Sequence, residues 1–76
     1  MNNTRRKVIA RIAGTLEDAK QDLEGIRDEE QEYLDNMPEN LVNSERYSNA
    51  ESVVSNMDDA INSLEDALGC METIDE

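Results

Sequence analysis

Seventy-six residues with a net charge of -12, no histidine and one cysteine make at most one domain, and a chain this short needs a disulfide, a metal or a partner chain to complete a stable core. Nineteen acids against seven cations repel duplex nucleic acid and anionic membranes at long range, which argues against both as direct partners. Without histidine or a second cysteine, the usual nucleophile–base pairs, histidine metal sites and disulfide staples are also missing. A second copy of the chain is then the natural staple.

The charge is segregated. Residues 1–13 hold Arg5, Arg6, Lys7 and Arg11 and no acid, whereas Lys20, Arg27 and Arg46 are the only cations among all 19 acids of the remainder. No apolar run approaches the roughly 18 residues of a membrane span, and the N-terminus lacks the apolar centre of a secretory signal. With its single cysteine, Cys70, suiting a reducing compartment, the chain reads as cytoplasmic.

From Ile9 the apolar positions run Ile9, Ile12, Leu16, Ala19, Leu23 and Ile26, continue through Glu30 and end at Tyr33 and Met37. Alternating steps of three and four predict a helix packed along its length on another. Asn2, Asn3 or Thr4 can cap its start, and Pro38 drives Met37 out of helical geometry, placing helix 1 at about residues 4–36. Gly14 and Gly25 fall on its outer face as tolerated surface positions.

A connection over about 37–43 follows, rich in asparagine around Pro38. Helix 2, at about 44–69, presents Tyr47, Ala50, Val54, Met57, Ile61, Leu64, Leu68 and Met71 in the same alternation. Asn43 or Ser44 can cap it, Ser48 offers a second start, and Gly69 is a plausible stop before a tail over 70–76. Beside the seam run Val53, Ala60, Ala67 and Ile74, seven apart. They widen the stripe beyond what one neighbour needs and are the predicted oligomer interface.

Antiparallel pairing brings together residues whose numbers sum to about 80, so Leu16 meets Leu64, Leu23 meets Met57 and Tyr33 meets Tyr47. The predicted architecture is all-α: one antiparallel two-helix hairpin spanning 1–76, coiled-coil-like, assembling into a homo-oligomeric bundle.

Three groups could carry chemistry. Asp28, Glu29, Glu30, Glu32 and Asp35 crowd two helical turns but follow no calcium-loop order, so they read as a solvated face, with no metal or cofactor expected. Arg5, Arg6 and Lys7 oppose the helix dipole in the first turn. Glu65, Asp66, Glu72, Asp75 and Glu76, at the end of helix 2, can compensate them, or the cations can form an anion site. At the bend, Glu30 takes a seam position opposite Ala50 and needs a partner such as Arg46, a hydroxyl of Tyr33 or Tyr47, or a ligand. Tyr33, Tyr47, Arg46 and Ser44 around it can stack and hydrogen-bond a planar ligand, or can simply cap helices and set register.

The run Asp28-Glu29-Glu30-Gln31-Glu32-Tyr33, with Asp35-Asn36-Met37-Pro38-Glu39-Asn40-Leu41, Ser44-Glu45-Arg46-Tyr47 and Ala50-Glu51, resembles a family of short acidic proteins encoded by phages and prophages of Gram-positive bacteria. The likeness implies action in the host cytoplasm by binding rather than catalysis, and many small phage proteins of that kind counter host defence. The leading expectation is a non-enzymatic, anti-defence binding protein that sequesters a nucleotide-like signal or a host defence factor. An acidic nucleic-acid mimic blocking a basic host protein is the alternative, and a purely structural bundle the third. For a nucleotide, an antiparallel pair of hairpins would bring Arg5, Arg6 and Lys7 of one chain to Glu30, Tyr33, Ser44, Arg46 and Tyr47 of the other.

Overall fold

The computed structural model describes residues 1–74. Helix α1 spans Asn3–Asp35 and helix α2 spans Glu45–Glu72, joined by a bend with one 3₁₀ turn at Glu39–Leu41. The two helices pack against each other along a rod of 60 × 15 × 13 Å.

Local chemistry sets the boundaries. Asn2 is extended, and its side-chain oxygen accepts the Arg5 N–H at 2.8 Å, satisfying one of the four donors left open at a helix start. At the other end of α1 the Asn36 N–H still donates to the Glu32 carbonyl, but Pro38, with φ -56° and ψ 143°, cannot continue the helix. The chain reverses through bonds from Leu41 N–H to the Pro38 carbonyl and from Ser44 N–H to the Leu41 carbonyl. Ser44 then caps α2, its Oγ accepting the Tyr47 N–H at 3.2 Å.

Gly69 does not stop α2, which runs on to Glu72. No glycine has the positive φ of a left-handed cap, and Leu68 and Met71 face Ile9 and Ala13 across the open end of the hairpin, so packing holds the last turn. The expected tail therefore begins at Thr73 rather than at residue 70. Asp75 and Glu76, expected to offset the N-terminal cations, lie outside the described residues.

The seam of α2 is the expected one, with Ala50, Val54 and Ile61 buried and Tyr47, Met57, Leu64, Leu68 and Met71 half-buried. The seam of α1 is rotated from expectation. Ile9, Leu16, Leu23 and Glu30 do face α2, but the second column is Ala13, Lys20, Arg27 and Leu34 rather than Ile12, Ala19, Ile26 and Tyr33, which are exposed. Leu34, at 7% exposure, is the buried residue of α1 and joins Ala50, Val54 and Tyr47 in a small core beside the bend. The expected Tyr33–Tyr47 pair is thus a Leu34–Tyr47 pair at the same level.

Lys20 and Arg27 occupy seam positions because each finds an acid across the interface. Arg27 Nη1 donates to Asp58 at 2.7 Å while its Nε donates to Asp28 at 2.9 Å, and Lys20 lies 3.8 Å from Glu65. Their aliphatic stems cover the apolar seam and their charged heads remain in water. The bond to Asp58, followed by that to Asp28, holds the Arg27 guanidinium above its ordinary pKa.

The hairpin consequently has two unlike sides. One carries the Lys20–Glu65 and Arg27–Asp58 bridges. The other carries two apolar columns at heptad spacing: Ile12, Ala19, Ile26 and Tyr33 on α1, and Val53, Ala60 and Ala67 on α2 with Ile74 in the turn just beyond it. Tyr33 and Val53 line one shallow depression, which puts the two columns on the same face. Ile26 is 54% exposed and Val53 46%.

Candidate functional site

At the bend, α1 ends and α2 begins within two turns of each other, so side chains from both helices converge there. Glu30, Tyr33, Arg46, Ala50 and Val53 line an open depression on the apolar side. A second runs around the bend through Glu29, Glu32, Tyr33, Met37, Pro38 and Arg46. Tyr33 and Arg46 belong to both.

Glu30 is half-buried beside the small side chain of Ala50, as the pairing rule anticipates. Arg46 does not pair with it, and among the described residues Glu30 has neither an ion pair nor a hydrogen bond. The depression is open, and Ala50 leaves room for the carboxylate to reach water, which avoids the cost of a buried unpaired charge.

The remaining expected site residues are dispersed. Tyr47 is on the opposite side of the hairpin, where it lines a depression with Leu34, Glu51, Val54 and Asp58. The Ser44 hydroxyl is committed to the helix cap. Arg5, Arg6 and Lys7 lie at the far end of the rod: Arg5 and Tyr33 are 28 residues apart on one helix, about 42 Å. Within one chain, Glu30, Tyr33 and Arg46 come together, and Arg5, Arg6, Lys7, Ser44 and Tyr47 do not join them.

Compared with known proteins, the chain matches no family model, no curated protein and no solved structure.

The electrostatics of the bend are those of an anionic surface. Glu29, Glu30, Glu32 and Glu45 surround the single guanidinium of Arg46, so a phosphate approaching Tyr33 meets net repulsion. The crowded acids of α1 do not close around a cation: Asp28 engages Arg27, and the Gln31 amide donates to Asp35 at 2.9 Å. Among the described residues no group of three acids or cysteines is arranged to hold a metal ion, and no helix is long and apolar enough to cross a membrane.

Sequence reasoning missed Leu34, Lys20 and Arg27. A signal for the two cations was present. Lys20 with Glu65 and Arg27 with Asp58 are opposite charges whose numbers share one sum, as residues along one flank of an antiparallel pair must.

Proposed function

We propose that the protein is a non-enzymatic, self-associating acidic binding protein that covers a basic surface of another protein in place of nucleic acid. The observation that carries this reading is the distribution of charge on a rigid rod. A net charge of -12 over 60 Å of axis amounts to about one per 5 Å, roughly a third of the linear charge density of duplex DNA. Sixteen of the nineteen acids stand on α1 and α2, so their spacing is set before binding and less ordering entropy is lost on contact. Likeness of the bend motif to short acidic phage proteins supplies the setting: a host cytoplasm in which a nucleic-acid-binding defence protein is the target.

The test is displacement. A fluorescent 20-base-pair duplex is loaded on an arginine- and lysine-rich DNA-binding protein, and the acidic protein is titrated in at 50 and 300 mM salt. Release of the duplex at low salt that weakens steeply at high salt supports the reading. No release, or release indifferent to salt, overturns it.

A nucleotide-like ligand at the bend is the second reading, favoured by Tyr33 and Arg46 sharing a depression. Calorimetric titration with cyclic di- and trinucleotides decides it: heat that disappears in Tyr33→Ala and Arg46→Ala supports a pocket, and no heat with any of them removes it.

A further inference from the structure

The face bearing Ile12, Ala19, Ile26 and Tyr33 has no cover within the chain, and its pattern identifies what fits it. In heptad steps the α1 column reads Arg5, Ile12, Ala19, Ile26, Tyr33. The column is nearly symmetric about Ala19, with an isoleucine one heptad to each side and Arg5 and Tyr33 two heptads away. Across the hairpin, Ala60 stands at about the level of Ala19, where residue numbers sum to about 80, so the centre of the face is low on both helices. We propose that this face docks a second copy of the chain, antiparallel and face to face, about a two-fold axis through the Ala19–Ala60 level. The inference rests on the self-association in the reading above and specifies its geometry.

Under that operation Ile12 of each copy lies against Ile26 of the other, and the alanines at the centre let the helices approach closely. Arg5 of each copy arrives at Tyr33 of the other, over an aromatic ring flanked by Glu29 and Glu30. A guanidinium there gains both the ring face and the carboxylates. The expected convergence of cationic tip and tyrosine bend is met by Arg5, Tyr33 and Glu30, whereas Tyr47 stays on the other side. A parallel arrangement would instead set two acidic bends side by side, seven acids and one cation over residues 28–46 in each copy, and would leave Arg5 without an aromatic partner. A two-fold contact is self-complementary by construction, and a nearly palindromic column satisfies that requirement.

Surface area agrees. The chain exposes 5626 Å², roughly a fifth more than the ~4,700 Å² of a compact monomer of its mass, and its radius of gyration of 17.4 Å exceeds the ~11 Å of a globular chain of this length. A strip as long as α1, about 50 Å, and as wide as the 15 Å rod offers on the order of 750 Å² per copy, close to the ~800 Å² each partner contributes to a standard stable interface. Pairing also doubles the net charge on the same length, to about one per 2.5 Å of axis, roughly two-thirds of the density of duplex DNA.

The experiment uses the full chain with Cys70→Ser. Light scattering at 50 and 500 mM salt gives the mass, and spin labels at Asn3→Cys or Asn40→Cys, in separate samples, give the distance between like positions. A dimer favoured by salt is expected, because each copy carries -12 and screening relieves their repulsion. Like labels should lie about 50 Å or more apart at both positions, given the 60 Å rod. Ile26→Glu should loosen the dimer at least about a hundredfold by burying a charge, while Ser55→Glu, on the bridged side, leaves it intact. Arg5→Glu should loosen it, and adding Glu29→Arg should restore it. A monomer at every salt overturns self-association and this docking together. A dimer with like labels within about 20 Å overturns the antiparallel geometry alone, and one indifferent to Ile26→Glu overturns the face. The displacement assay reads the basic-partner half of the proposed function independently of all three.

Discussion

Leu34→Ala should unfold the hairpin far more readily than Tyr33→Ala, although the two residues are adjacent and the heptad alternation favours Tyr33 as the core residue. Leu34 is 7% exposed and packs with Ala50, Val54 and Tyr47, whereas Tyr33 is 44% exposed. Truncating a buried leucine costs about 2–5 kcal/mol. The lower half of that range, about 2–3 kcal/mol, applies here because a two-layer core opens to water on relaxing rather than holding an empty cavity. Against a total stability of about 4–11 kcal/mol for a chain of this length, that is a large fraction. With a urea m-value of about 1 kcal/mol/M for so small a protein, the midpoint should fall by about 2–3 M. Tyr33→Ala, at a solvated position, should shift the monomer midpoint by less than about 0.5 M.

Urea titrations followed by circular dichroism at 222 nm, at two protein concentrations a hundredfold apart, read both effects. The Leu34→Ala loss should persist at both concentrations, while any Tyr33→Ala loss should grow with concentration, since only binding between copies depends on it. Equal shifts at low concentration, or a larger one for Tyr33→Ala, would refute the rotated register of α1 and with it the assignment of Ile12, Ala19 and Ile26 to the outer face.

Gly25→Ala should raise stability by about 0.5–1 kcal/mol, because a methyl group there meets no neighbouring side chain or other element within 4 Å and the helix gains propensity; a thermal midpoint higher by about 2–8 °C checks it. Ser44→Ala should cost about 1 kcal/mol by releasing the Tyr47 N–H, and Ser44→Asp should restore most of it, both read from thermal melts. Arg27→Lys should lower the melting temperature, because one ammonium cannot bridge Asp58 and Asp28 in the two directions that Nε and Nη1 reach. The raised Arg27 pKa places its contribution below the ordinary arginine range, lost only as pH rises through a still higher value. The melting difference between wild type and Arg27→Lys should therefore be unchanged between pH 7 and pH 9.

The hairpin itself was legible in the sequence, from Pro38, the capping residues and two apolar alternations whose levels match across the bend. The register of α1 was not. Two overlapping columns are available to that helix, and counting apolar residues prefers Ile12, Ala19, Ile26 and Tyr33 over Ala13, Lys20, Arg27 and Leu34. The second is chosen because α2 offers Asp58 and Glu65 opposite the two cations and a pocket of Ala50 and Val54 opposite Leu34. Periodicity reports that a helix has apolar sides, not which neighbour each one meets. At the bend the same rotation moves Tyr33 outward and leaves Tyr47 on the other side, so residues that are close in sequence number do not form one site.

That rotation also bears on why assembly should stop at two. A helix pair with equivalent apolar flanks could add copies on both sides and grow without limit. Here one flank is occupied by Lys20 with Glu65 and by Arg27 with Asp58, which another copy could cover only by desolvating charges already partnered in water. The opposite flank has hydrocarbon to hide and an order of side chains that suits its own image. With that face covered, the exposed apolar residues left, such as Val8, Leu41 and Val42, are scattered toward the ends of the rod, and the -12 each copy carries repels the next arrival. In the proposed pair the same charges would be left on the outside, available to the basic surface of the proposed partner.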